Sequence, residues 1–296
     1  PDHSASIGIF MENYPDTTIV ASAKAFTIMK QFFGCDYAEH QLVVKEKDTL
    51  ELGKHTLTFV AAPMVHWPEV IMTYDSYAKV FFSADALDVE EDWACEARRY
   101  YFGIVGKYGA QVQALLKKAA GLDIQTICPL HGPVLNGNLD FYRNLYQTWS
   151  AYEPEDKGVL IAYTSVYGNT KKAAELLAQM LVDKGCEKVA ITDLARDDIA
   201  EAVEDAFRYD RLVLATTTYN GDVFPFMREF IESLTERNYQ KRTIGLIENG
   251  SWAATAAKVM RQLFEKSKEI TFTETTVKIM SALNEESTTQ LENLAE

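Results

Sequence analysis

Short apolar runs alternate with stretches of helical period through the second half of the chain. VLIAY (159–163) precedes an amphipathic run from Thr170 to Lys184 that Gly185 closes; KVAIT, a second helical run to Tyr209 and RLVLAT follow. The pattern continues through PFMREFIESLTERN, TIGLIENG, a helix after Ser251, and VKIM ahead of a last helix. Apolar strands separated by helical periods predict parallel strands with crossover helices, here an α/β doubly wound sheet of five parallel strands. The first half reads differently. TTIVAS and a helix to Gly34 are followed by QLVVKE, DTLEL, HTLTFVAA and KVFFSAD as strands, with long helices around 90–120 and 138–150. Consecutive strands followed by helices predict a layered α+β unit. The polar AYEPEDKG (151–158), with its Pro and Gly, is the natural linker, so the expected domains are 1–150 and 159–296.

Composition narrows the function classes. The 296 residues are 47% hydrophobic, enough for a core in each half, and the net charge is −14. A phosphate-backbone or anionic-lipid surface needs a Lys/Arg excess that is absent, so no nucleic acid and no membrane are expected as partners. No apolar run is long enough to span a bilayer and the first residues lack a signal-peptide layout, which predicts a soluble, cytoplasmic protein. Cys35, Cys95, Cys128 and Cys186 form no C-x-x-C pair, so neither a disulfide framework nor a thiolate metal site is indicated.

Three loops follow strands of the second half. In VLIAYTSVYGNTKK the strand runs into Thr164, Ser165, Val166, Tyr167, Gly168, Asn169 and Thr170, and a helix begins directly. Unpaired N–H groups and the positive end of a helix can cradle a phosphate there without a basic residue, although an ordinary helix cap would read the same way. The other two loops favour a ligand. Thr217, Thr218, Tyr219, Asn220 and Gly221 follow the third strand, and Asn249, Gly250, Ser251 and Trp252 the fourth, at the strand ends where doubly wound sheets bind ligands. Tyr219 and Trp252 could flank a flat ring, with backbone and amide groups of Asn220, Gly221, Asn249 and Gly250 on its edge. The segment resembles a flavodoxin domain: TSVYGNT is similar to the family's FMN phosphate loop, and TYNG and GSW to its two ring loops. The resemblance implies FMN, with the phosphate at 164–170 and the ring between the 217–221 and 249–252 loops. Thr217 departs from it, since relatives often carry Pro there.

In the first half Asp2, His3, His66 in APMVHWPEV, Asp85 in FFSADAL and His131 in CPLHGP form a second constellation. The last three sit where apolar strand runs end, positions that converge on one edge of a layered sheet. Histidine and carboxylate donors without cysteine suit an N/O site for iron or zinc, and the two oxygens of a carboxylate such as Asp85 can bridge two metals. His40 and His55, in charged loops, are assigned to the surface. This half resembles the metallo-β-lactamase-like domain of αββα layers, and its union with a flavodoxin domain resembles the A-type flavoproteins, or flavodiiron proteins. The family motif is H-x-E-x-D-H, of which Asp2-His3 is similar to the last portion, so the resemblance implies that the metallo domain here is incomplete at its N-terminus.

Carried over, the resemblance implies a non-haem diiron site with Asp2, His3, Asp85 and His131 on one iron and His66 with bridging Asp85 on the other. It further implies electrons passing from a redox protein, rubredoxin-like or a reductase, through FMN to the iron pair, which reduces dioxygen to water, nitric oxide to nitrous oxide, or both. A homodimer or higher oligomer is implied, because the flavin of one subunit serves the iron site of another, and no protein nucleophile is required. Two other readings stay open: an FMN electron carrier with a non-functional metal domain, and a zinc-dependent hydrolase with a flavodoxin appendage.

Overall fold

Helix α1 (Ile7–Asn13) and the short strand β1 (Ile19–Ala21) lead into α2 (Ala23–Phe33), whose ends are set by local chemistry. Ser22 Oγ accepts from the Ala25 N–H at 3.2 Å, and Gly34 stops the helix in the left-handed region at φ +72°. The computed structural model describes residues 3–35, 37–84 and 94–296. These divide into two units, residues 1–97 with 108–150 and residues 98–107 with 151–296.

In the first unit β2 (Gln41–Val43) pairs parallel with β1. The strands β3 (Thr49–Leu52), β4 (His55–Ala61), β5 (Ile71–Asp75) and β6 (Val80–Phe82) then form an antiparallel meander. β5 is absent from the predicted elements, yet its Met72 and Tyr74 are 1% and 6% exposed and it occupies the centre of the sheet. After α3 (Ala94–Tyr100) and α4 (Gly109–Ala119), β7 (Thr126–Cys128) joins β6 in parallel, and α5 (Leu139–Ser150) closes the unit. The long helix expected around 90–120 is interrupted over the described residues by a wider turn at Tyr101–Val105 and a tight one at Gly106–Tyr108. Gly103, Gly106 and Gly109 weaken that stretch as helix.

The second unit is the doubly wound sheet. It contains β8 (Asp156–Tyr163), α6 (Asn169–Asp183), β9 (Val189–Asp193), α7 (Ile199–Arg208), β10 (Tyr209–Tyr219) and the two-residue β11 (Asp222–Val223). It continues with α8 (Pro225–Glu236), β12 (Arg242–Asn249), α9 (Ala256–Leu263), β13 (Ile270–Ile279) and α10 (Glu285–Leu294). Five strands run parallel in the order β13-β12-β10-β8-β9, with β11 folded back antiparallel on β10. Counted from β8 this is 2-1-3-4-5, and the order reverses between β8 and β10, opening a crevice at their C-terminal ends. Both faces are covered, hence the continuous apolar runs rather than an alternation. Val159, Ile161, Val213, Ile247 and Val277 point to one face with Ala173, Ala174 and Leu177 of α6. β8 opens at Asp156, inside the stretch expected as linker, and Gly158 is needed there: a Cβ would stand 2.7 Å from the Lys188 carbonyl.

Residues 98–107 form an excursion of the chain that belongs to this unit. Arg98, 2% exposed, grips Glu155 through Nε at 2.7 Å and Nη2 at 2.6 Å and donates through Nη1 to Glu204. The Phe102 ring stacks on Phe207 at 3.9 Å between centroids, and Arg237 Nε donates to the Phe102 carbonyl at 2.8 Å. Among the described residues no helix is long and apolar enough to cross a membrane.

Candidate functional site

β8 delivers its C-terminal loop to the start of α6. Thr164 is fully buried, and its hydroxyl pairs with that of Thr216 on β10 at 2.6 Å, joining the two strands where the order reverses. Beyond it the chain turns outward, and Gly168 is the N-cap of α6 at φ +88° with no side-chain cap. A Cβ at Gly168 would meet nothing within 4 Å, so space lies open above the helix end. Ser165 Oγ accepts from the Gly168 N–H at 3.1 Å and shapes the turn.

β10 ends in a two-residue hairpin. Asn220 and Gly221 have φ of +52° and +75° between the paired Tyr219 and Asp222, the conformation Asn-Gly favours. Arg228 Nη2 braces this hairpin through both oxygens of Asp222, at 2.6 and 2.5 Å. Burial raises the Asp222 carboxyl, but the Arg228 hydrogen bond and the Val223 N–H outweigh it and hold the group below its ordinary range. Thr217, where the flavodoxin pattern often has Pro, donates from Oγ1 to the Asn249 carbonyl at 3.3 Å, so a hydroxyl restrains the loop instead.

Together these loops surround a cleft of about 890 Å³. Of the residues singled out in the sequence, 165–167, 169–170, 217–221 and 249–252 line it. Thr164 lies beneath the floor and Gly168 caps α6. Tyr167 and Trp252 are 93% and 89% exposed and Tyr219 45%, an unusual concentration of uncovered aromatic surface around one cleft. Asn249 lines the cleft with its amide tied into the wall. Its amide donates to Thr170 Oγ1 at 3.3 Å and to the Ser281 carbonyl at 3.2 Å, and the Gly250 N–H donates to the Ile279 carbonyl at 3.0 Å. Both therefore support the walls. Phe224, Ala253, Thr255 and Ser281 also line the cleft without having been singled out. Ser281 was within reach of sequence reasoning, because it directly follows the fifth strand at the ligand-binding end of the sheet.

The cleft suits FMN on three features of its own: an open helix N-terminus without side-chain cap, aromatic faces on two walls, and room for a flat ring with a chain. Tyr163, at the end of β8, is buried in the core beneath α6 and does not line the cleft. Burial, then the neighbouring Asp193, pushes its phenol up to about 12.

In the first unit the register brings the predicted metal positions toward one end of the sheet. Ala61 pairs with Ile71, Thr73 with Phe82, and Phe82 with Cys128, so β4, β6 and β7 all end on the side where β5 begins. His66 lies in the loop from β4 to β5, and His131 follows β7. The chain leaving β6 runs beside the one leaving β7, with the Ser83 N–H on the Cys128 carbonyl at 3.2 Å and the Leu130 N–H on the Ala84 carbonyl at 2.9 Å. The His3 and His131 rings stand 4.8 Å apart between centroids. Asp2 and Asp85 lie outside the described residues. Among the described residues no group of three His, Cys, Asp or Glu side chains is arranged to hold a metal ion. The neighbouring imidazoles of His3 and His131 are nitrogen donors of the type an N/O metal site uses.

His55, assigned to the surface from its charged context, is half-buried and engaged: its Nδ1 lies 2.5 Å from Asp75 Oδ2. Burial raises the Asp75 carboxyl, but hydrogen bonds from His55 and from the Ala78 and Tyr77 N–H groups leave it lowered.

Comparison with known proteins agrees with this geometry. Residues 1–132 match the ODP family beta lactamase model and residues 160–288 the flavodoxin domain model. A nitric oxide reductase of Moorella thermoacetica is 26% identical over 288 residues, which is 90% of this chain and 70% of that protein. The anaerobic nitric oxide reductase flavorubredoxin of Escherichia coli is 28% identical over 273 residues, 86% of this chain but 56% of its own length. Among solved structures, rubredoxin oxygen:oxidoreductase from Desulfovibrio gigas superposes with a TM-score of 0.90 at 22% identity, over 99% of this chain and 76% of that one. The chain thus joins a β-lactamase-like domain of the ODP type to a flavodoxin domain, the fold of the solved flavodiiron proteins and the order found in relatives named nitric oxide reductases.

Proposed function

We propose that this protein reduces nitric oxide to nitrous oxide, dioxygen to water, or both, with electrons passed through FMN to a non-haem diiron site. The observation that carries the reading is the cleft at the β8/β10 crossing, where the uncapped end of α6 and the exposed Tyr167, Tyr219 and Trp252 surround one space. Bound there and at the histidine-bearing sheet edge, FMN and iron would supply the one-electron chemistry that protein side chains lack.

The remaining work belongs to the chain. Residues 165–170 hold the phosphate on the backbone N–H groups and positive end of α6. The polarity of the cleft favours that end: α9, the other helix starting there, has its Ala257 N–H on Glu248 Oε2 at 3.0 Å, and a carboxylate repels a second anion. Tyr219 and Trp252 cover the ring and exclude water from it, while the hairpin of Asn220 and Gly221 presents backbone to its edge. In the first unit His3, His66 and His131 would offer imidazole nitrogens to the metal, and Asp2 and Asp85 carboxylate oxygens. A redox protein, rubredoxin-like or a reductase, supplies the electrons, and a homodimer brings the flavin of one subunit to the iron of another. Four free cysteines and no disulfide suit a reducing, cytoplasmic setting.

The test is iron, zinc and FMN content of one purified sample, followed by nitric oxide and dioxygen consumption with a reduced rubredoxin-type donor. About two irons per FMN with turnover of either gas is the expected outcome. Full FMN with little iron and no turnover would instead make the chain an electron carrier, and stoichiometric zinc would revive the hydrolase.

A further inference from the structure

Helix α9 starts on the cleft with an N-terminus closed by side chains from elsewhere. Its N-cap, Thr255, has a hydroxyl that does not cap the helix. Thr218 Oγ1 takes that place, accepting from the Thr255 N–H at 2.9 Å and the Ala256 N–H at 3.2 Å. Glu248 Oε2 accepts the next one, from Ala257, at 3.0 Å. Three successive orphan donors are thus satisfied by two side chains that stand on different strand ends, β10 and β12.

The geometry has a mechanical consequence. Thr218 belongs to the wall that carries Tyr219, whereas the N–H groups it binds end the wall that carries Trp252. The Thr218 hydroxyl therefore spans the two walls with two short bonds, beside the longer ones from Thr217 Oγ1 to the Asn249 carbonyl at 3.3 Å and from Thr255 Oγ1 to the Gly221 carbonyl at 3.5 Å. Trp252 is 89% exposed and has little packing of its own to hold it, so its position depends on how the 249–255 loop is anchored. Glu248 anchors the same helix from below: it is 8% exposed, and a carboxylate shielded from water binds the positive end of a helix more strongly than an exposed one.

We propose that Thr218 and Glu248 are positioning residues for the flavin ring, lashing the Trp252 wall to the Tyr219 wall through the N-terminus of α9. The proposal rests on the FMN reading above. Neither residue has to touch the ring, because each acts through the helix it caps.

The experiment uses the full 296-residue chain stripped of flavin, as wild type, Thr218→Val, Thr218→Ser and Glu248→Gln. Each is titrated with FMN and with riboflavin by quenching of flavin fluorescence, and the visible circular dichroism of the bound flavin is recorded. Thr218→Val should weaken both flavins by the same factor, about tenfold for a lost cap, and change the visible dichroism. Thr218→Ser, which keeps the acceptor, should bind both as wild type does. Glu248→Gln keeps the shape but loses the charge, and should weaken both flavins by a smaller equal factor. The equal factor matters because the phosphate end at α6 is untouched by any of these changes. Weakening of FMN alone would place the effect at the phosphate and overturn the proposal, as would unchanged binding in Thr218→Val. Should Thr218→Val unfold, a wild-type Kd and dichroism in Glu248→Gln would overturn it as well. Absence of flavin binding by the wild type would sink the FMN reading itself, a result distinct from all of these.

Discussion

Asn249 shows how a side chain that lines the cleft also ties together the elements around it. Buried to 7% exposure, it joins α6, through Thr170, to the turn after β13, through Ser281. Thr164 and Thr216 do the same beneath the loop that leads into α6. These bonds keep buried polar atoms satisfied in an apolar interior, which stabilises the loops that face the cleft. Asp156 is the charged counterpart at the opposite end of β8. It lies 2.6 Å from Lys188 Nζ and 2.8 Å from Arg208 Nε. Burial raises its carboxyl, and the two donors outweigh burial and hold it below its ordinary range. A carboxyl lowered in the folded state adds stability above its unfolded pKa of about 4, and this contribution is lost as pH falls through the folded value. Asp156→Asn should therefore be less stable than wild type to urea at pH 7, and the gap should close in acid. A gap independent of pH would contradict the assignment.

At the scale of elements, the excursion of residues 98–107 matters most. A break in the helical run, at Gly103 and Gly106, lets Phe102 stack on α7 and leaves its carbonyl to Arg237. Arg98 anchors the excursion through Glu155 and Glu204, which are 18% and 8% exposed at the side chain. Replacing a buried ion pair by apolar groups can be neutral, but removing one partner strands the others. Arg98→Met should strip Glu155 and Glu204 of the guanidinium they share and cost about 3–5 kcal/mol. The check is a urea melt followed by circular dichroism; an unchanged midpoint would show that the carboxylates re-solvate and that the anchor lies elsewhere in the segment.

At the scale of the whole molecule, one unit holds the aromatic-walled cleft and the other the neighbouring His3 and His131 rings, in a β-lactamase-like domain followed by a flavodoxin domain. If FMN binds only the folded cleft, hundredfold excess over its Kd should stabilise the flavodoxin unit by about 2.7 kcal/mol, read as a rise in the melting transition with added FMN. A melt indifferent to FMN would remove the cofactor from the reading. The sequence by itself determined what depends on neighbours along the chain. Strand and helix alternation, the helix stop at Gly34 and the three loops of the second half follow from periodicity and turn chemistry. Only the tertiary structure decided what depends on residues far apart in the chain. It turned the Asn249 amide toward Thr170 and Ser281, gave Thr218 and Glu248 to α9, paired His55 with Asp75, and carried residues 98–107 into the second unit. In each case a polar group had several equivalent partners in the extended chain, and the packing of the sheets fixed which one lay within hydrogen-bond reach.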